Sequence, residues 1–99
     1  MSKPKHYWYG NVKKLIMSSD QLKKDRTLQA TIMLHAIEDA TEETLKLPNG
    51  QERMRAVDEI LIRKTKTIDG VTQELHYEDR TVRGWIQSYV NLVGRKAGY

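Results

Sequence analysis

The side chains with the clearest chemical potential lie in the segment 79–88, where arginine, hydroxyl and amide groups recur at helical spacing. In a helix, Arg80, Thr81, Arg83, Gly84 and Gln87 would fall on one side. Arginine can donate two hydrogen bonds to guanine in the major groove of DNA, and glutamine can bond adenine in the same way. A glycine lets the backbone approach a ligand closely. The segment therefore predicts a surface that reads duplex DNA.

A plain helical hairpin with solvated charges is the alternative for the same residues. Val82 and Trp85 face the interior under both interpretations, so they do not discriminate. The outward face does distinguish the two interpretations. It carries two arginines, two hydroxyls, an amide and, beyond its first turn, no acid. This composition favours DNA recognition over the plain hairpin.

The preceding residues have the spacing of a helix-turn-helix at about 67–93. Two helices that cross over a short turn need apolar residues at fixed offsets. Tyr77 would fill the turn, and His76, where glycine is common, tolerates a left-handed backbone better than a β-branched residue does. The apolar positions follow one another by 4, 2, 5 and 3 residues: Val71, Leu75, Tyr77, Val82 and Trp85.

The ends of the two helices suggest how the motif would contact a phosphate. Thr67 is a suitable N-cap for the first helix, and Asp79 rather than Glu78 is expected to cap the second. Helix N-termini favour anions. Lys64, Lys66 and Thr67 would therefore approach the DNA backbone from the start of the first helix.

Helical periodicity in the rest of the chain predicts an all-α fold of four or five short helices in a single domain, residues 1–99. The first expected helix begins near residue 8 and ends near residues 18–20, and the second covers about 24–45. The third starts near residue 51, after the turn Pro48-Asn49-Gly50, and precedes the stretch 63–67. The last two cover about 67–75 and 79–93. Leu28 and Ile32 would belong to the apolar face of the second. Gly94 and Gly98 would loosen the end of the last.

The net charge of +4 is unevenly distributed. Residues 1–24 carry +5, residues 25–62 carry −4 and residues 63–99 carry +3. Basic regions suit a polyanion such as nucleic acid. Cysteine is absent, which excludes disulfides and thiolate metal sites. There is no apolar run of the roughly 18 residues that a membrane span needs, and the chain is expected to be cytoplasmic and to make no membrane contact.

Enzymatic function and a cofactor are not expected. His6, His35 and His76 are far apart, and none has a partner at metal-ligand spacing. The acids of 38–43 fit a solvated helix face. Trp8 and a neighbouring tyrosine could stack on nucleic-acid bases, but packing of the first helix onto the core is favoured.

The segment TIDGVTQELHYEDRTVRGWIQSYVNLVGRKAGY resembles the C-terminal part of small phage-encoded transcription regulators of the ArpU/RinA type. Their helix-turn-helix is in turn similar to the promoter-reading domain of bacterial sigma factors. The stretches EETLKLPNGQERMRAVDEI and HYWYGNVKKLI also resemble that group. The resemblance implies control of phage or prophage operons in a bacterial host, with DNA recognition by Arg80, Thr81, Arg83 and Gln87.

The sequence leaves the target DNA, activation or repression, and the oligomeric state open. A motif this small buries limited surface, so a homodimer on two half-sites or assistance from RNA polymerase is expected. Two alternative functions stay open. One is the DNA-binding small subunit of a phage packaging terminase, and the other is a helical adaptor that binds a protein through the acidic middle of the chain.

Overall fold

The computed structural model describes residues 6–99, which contain six α-helices and one π-helical segment joined by short loops. No strand occurs in this range, so the all-α prediction is confirmed, with one or two more helices than expected. Residues 1–5 of the predicted domain and of its basic opening lie outside the described range. The helices are α1 (Tyr9–Met17), α2 (Ser19–Lys24), α3 (Leu28–Leu45), α4 (Gly50–Val57) with its π-helical continuation (Asp58–Ile62), α5 (Ile68–Leu75) and α6 (Asp79–Lys96).

The last helix, α6, is the centre of the fold and packs against α1, α3, α4 and α5. Its inward face carries Ile86, Tyr89, Val90 and Val93, which recur at helical spacing and are all buried. The packing of Trp8 and Tyr9 into this core confirms that the first helix docks through its aromatics. The remaining members of the main core are Val12, Ile16, Met33, Ala36, Ala40, Val57 and Leu61.

The prediction of one continuous helix from about residue 24 to 45 is wrong, because the chain breaks at residues 25–27. The Asp25 Oδ1 atom accepts a hydrogen bond from the Thr27 backbone N–H at 2.9 Å. The Thr27 hydroxyl in turn accepts one from the Ala30 N–H at 3.2 Å. These side chains satisfy backbone donors at a helix start, so they end α2 and begin α3.

The predicted apolar face of α3 is also wrong at its first two positions. Leu28 is 74% exposed and Ile32 is 43% exposed. Ala30 and Met33 are buried instead, and Ala36 and Ala40 continue this face against α6. The small alanines allow the two helices to approach closely, and this shifts the buried face away from the larger residues.

The α4 helix passes directly into the π-helix at residues 58–62, with the Arg63 N–H bonded to the Asp58 carbonyl at 2.7 Å. A π-helical turn rotates the following side chains relative to an α-helix. Leu61 is buried, whereas Ile60 packs beside the helix-turn-helix. The segment after it turns at Lys64, which has a left-handed backbone (φ 56°), and leads into α5.

The C-terminal end of α6 differs from expectation at Gly94. This glycine is buried under the Trp8 indole, and a Cβ atom at this position would collide with the ring. Gly94 therefore allows a close contact between α1 and α6 instead of loosening the helix. None of the helices in residues 6–99 has the length and apolar composition that crossing a bilayer requires.

Candidate nucleic-acid interface

The helix-turn-helix consists of α5, a three-residue turn at 76–78 and the first half of α6. His76 ends α5 in the left-handed conformation, with φ 61° and ψ 35°, as its position in the turn predicts. Glu78 follows with an extended backbone, and α6 begins at Asp79. The short turn keeps α5 and α6 as two separate helices.

A small apolar cluster fixes the angle between α5 and α6. Val71, Val82 and Trp85 are buried together, which confirms three of the predicted anchors. Leu75, the fourth, is partly buried against them. The Tyr77 ring meets the Trp85 ring edge-on at a centroid distance of 4.7 Å, so the predicted plug fills the turn.

The α4 helix supports this cluster from the side of the protein body, which periodicity alone did not indicate. Ala56 is buried beneath the cluster. The Arg53 guanidinium lies 5.8 Å from the Trp85 ring centroid, within cation–π range. A hydrogen bond to Glu52 raises the pKa of the Tyr77 hydroxyl, since ionisation would place two negative charges together. These contacts position the helix-turn-helix relative to the core.

The caps of the two helices follow the prediction only in part. The Thr67 hydroxyl accepts a hydrogen bond from the Gly70 N–H at 3.2 Å, as a predicted N-cap does. The prediction that Asp79 caps α6 is wrong, because Glu78 occupies the N-cap position and makes no capping bond through its side chain. Asp79 lies inside the first turn and contacts Arg83 instead.

The outward side of α6 brings together the five residues predicted there. Arg80, Arg83 and Gly84 are exposed, and Thr81 and Gln87 are half-buried. A Cβ atom at Gly84 would meet no heavy atom within 4 Å. On the inward side, Val82 is fully buried and Trp85 is 6% exposed. The first turns of α6 therefore have one side inside the protein and one side open to a large ligand.

Asp79 shapes the electrostatics of this open side. Its Oδ2 atom accepts a hydrogen bond from Arg83 Nε at 2.5 Å, across one helical turn. That bond and the carboxylate charge raise the pKa of the Arg83 guanidinium, and Asp69 adds to the effect. Arg83 is thus a fixed positive charge with a defined neighbour.

The predicted phosphate contacts are arranged differently from expectation, because Lys66 belongs to an ionic ring. The Lys66 Nζ atom lies 3.5 Å from Glu59 Oε2 and also pairs with Glu74. Arg55 closes the ring, with its Nε atom 3.4 Å from Glu59 Oε1 and an Nη2 contact to Glu74. The ring joins α4 and its π-helix to α5, and its two carboxylates already balance the charge of Lys66, so Lys66 attracts a phosphate less than a free lysine would.

Lys64 and Thr67 are more accessible than Lys66. Both are exposed, although the Lys64 Nζ atom donates to the Met17 carbonyl at 3.0 Å. The Thr67 hydroxyl oxygen caps α5 and retains its own proton for donation to another acceptor. Of the three predicted phosphate contacts, Thr67 therefore needs the least rearrangement.

In residues 6–99, no three His, Cys, Asp or Glu side chains are grouped closely enough to hold an ion. The exposed acids of α3 include Glu43, whose pKa is lowered by its ion pair with Lys96 at 2.7 Å. This pair joins the ends of α3 and α6.

Comparisons of the chain with protein-family models, with curated proteins and with solved structures find no match.

Proposed function

We propose that this chain is a sequence-specific DNA-binding regulator of transcription, of phage or prophage origin, that places the first turns of α6 in the major groove. One observation carries the proposal. The same two turns of helix bury Val82 and Trp85 while leaving Arg80, Arg83 and Gly84 open. A helix held in this way can enter a groove without disturbing the core beneath it.

Base recognition is assigned to the outward side of α6. Arg80 and Arg83 supply planar donors that match guanine, and Gln87 supplies the amide that matches adenine. Gly84 lies between them with open space in front of its backbone, which permits a close approach to the DNA. Thr81 adds a hydroxyl at the edge of the same surface.

Phosphate contacts supply affinity without sequence preference. We assign this role to Lys64, which lies before α5, and to Thr67, the N-cap of α5, because both are exposed. Lys66 contributes less than a free lysine would, because the Glu59 and Glu74 carboxylates already balance its charge. The surface is small, so binding by a homodimer on two half-sites or together with RNA polymerase is part of the proposal.

The proposal is tested by selecting bound sequences from random duplex DNA and titrating the enriched duplex by fluorescence anisotropy. The Arg80→Ala/Arg83→Ala variant should lose roughly 2–6 kcal/mol of binding free energy to that duplex if both arginines contact bases. Arg26→Ala/Arg95→Ala is the matched control, since both arginines are exposed. Arg95 lies roughly 18 Å along α6 from Arg83. The control should lose much less affinity.

Three results would contradict the proposal. The first is absence of duplex binding by the wild-type chain at low salt. The second is equal loss of affinity in both double variants, which would indicate attraction by net charge alone. The third is a ring-sized assembly in solution, measured as mass, which would favour a packaging subunit over a regulator.

A further inference from the structure

The acid Asp79 stands on the side of α6 that is proposed to face DNA, where a negative charge repels phosphate. Its carboxylate bonds Arg83 Nε at 2.5 Å. The two side chains are 47% and 63% exposed, so burial does not force them together. An exposed pair of this kind adds little to stability. Its position next to a proposed base-reading arginine suggests a role in recognition.

The geometry of the pair leaves one edge of the guanidinium available. Arginine has five N–H donors in a rigid plane, and the bond to Asp79 uses the one on Nε. The two terminal Nη groups retain four donors at the end of the side chain. Their spacing fits two acceptors in one plane, such as O6 and N7 of guanine.

We infer that Asp79 is a positioning residue that holds Arg83 for bidentate recognition of a guanine, and this inference rests on the proposed function above. Anchoring Nε removes much of the rotational freedom that a free arginine would lose on binding. It also keeps the guanidinium from turning towards a phosphate. Asp79 therefore lowers the affinity for all duplexes and increases the preference for one base.

A purely structural role for Asp79 makes a different prediction. A carboxylate in the first turn of a helix, paired with arginine four residues later, stabilises the helix through its dipole and the ion pair. Loss of that effect would reduce stability without changing which base is preferred. The ratio of affinities for duplexes that differ in one base pair separates the two roles.

The test compares Asp79→Ala with Glu78→Ala, which removes the same charge from the adjacent exposed residue and leaves the Arg83 contact intact. Dissociation constants are measured for the selected duplex, for duplexes with each G·C pair replaced, and for an unrelated duplex. Both variants should bind the unrelated duplex more tightly, because each removes one repulsive charge. The Asp79→Ala variant alone should lose discrimination at one G·C pair, by at least about fivefold.

A double-mutant cycle with Arg83→Ala completes the test. Arg83→Ala should lose roughly 5- to 150-fold discrimination at that same base pair, and adding Asp79→Ala should cause no further loss. Unchanged discrimination in Asp79→Ala, or additive losses in the cycle, would overturn the inference while duplex binding still supported the proposed function. Absence of duplex binding by the wild-type chain would refute both.

Discussion

Replacement by alanine is expected to have opposite effects on stability at the two glycines of α6, Gly84 and Gly94. At Gly84 an added Cβ meets no heavy atom within 4 Å, whereas at Gly94 it collides with the Trp8 indole. Replacing glycine by alanine inside a helix stabilises it by about 1 kcal/mol when nothing else changes. The difference between the two variants therefore measures the packing of Trp8 on α6.

At Gly94 the gain in helix propensity is offset by the displacement of the Trp8 ring that the new Cβ requires. Trp8 is 7% exposed, and its ring stacks on the His6 ring with 4.6 Å between the centroids. If the ring shifts within the core, overpacking costs about 1–3 kcal/mol, and the net loss is roughly 0–2 kcal/mol. If the ring leaves the core, the cost approaches that of removing a buried tryptophan, about 3–5 kcal/mol. We expect a net destabilisation of about 2 kcal/mol for Gly94→Ala and a stabilisation of about 0.5–1 kcal/mol for Gly84→Ala.

Thermal and urea unfolding, followed by circular dichroism, measure both variants. For a chain of this size, each kcal/mol corresponds to roughly 4–8 °C in Tm. Gly84→Ala should raise Tm, and Gly94→Ala should lower it, with a matching change in tryptophan fluorescence. A Gly94→Ala protein that is more stable than the wild type by about 1 kcal/mol, as expected where a Cβ meets nothing, would refute the close contact between Trp8 and α6.

Other perturbations probe the helix-turn-helix and the caps. Gly84→Ala should weaken binding to the selected duplex although it stabilises the fold, because the added methyl group stands where the backbone approaches DNA. Anisotropy titration measures the change in affinity, and an unchanged affinity would exclude a close approach. Trp85→Ala should cost about 3–5 kcal/mol in urea unfolding because it empties the cluster beneath α5. Thr27→Ala should cost about 0.5–2 kcal/mol, as loss of an N-cap does, whereas a cost near zero would mean that the hydroxyl does not cap α3. Burial raises the pKa of Tyr89 and a hydrogen bond to Glu52 raises that of Tyr77, so the folded state holds these protons more tightly than the unfolded chain. The stability that these two tyrosines contribute should be constant below the ordinary tyrosine pKa of about 10 and fall as pH rises above it. This fall in the free energy of unfolding should be smaller in Tyr89→Phe than in the wild type.

Periodicity predicted the helix-turn-helix well because its anchors interact locally. Val71, Tyr77, Val82 and Trp85 lie within fifteen residues and pack on one another as their offsets indicate. The left-handed backbone at His76 and the cap at Thr67 also follow from residue chemistry at a short turn. These features depend on neighbours in sequence, which makes them visible before any tertiary contact is known.

Contacts between distant segments were not visible in the same way. The shift of the α3 face away from Leu28 depends on how closely α6 approaches, and the position of Gly94 depends on where Trp8 docks. The ionic ring joins Glu59 to Lys66 and Glu74 across a π-helix that a 3.6-residue period does not describe. Such features arise from tertiary packing, and for this reason the sequence-based expectation for Lys66 needed revision.

The central claim is that the outward side of α6 lies in a DNA groove, and the absence of cysteine from the chain permits a direct test. Ser88→Cys places a single thiol on that side, one turn beyond Gly84, and Gln29→Cys places one at an exposed position lining a cavity with Ala97 and Tyr99 at the far end of α6. Each thiol is labelled with an iron chelate that generates hydroxyl radicals and cleaves nearby DNA. We predict strong, localised cleavage of the selected duplex from position 88 and little from position 29. Equal cleavage from both positions, or stronger cleavage from position 29, would contradict the account.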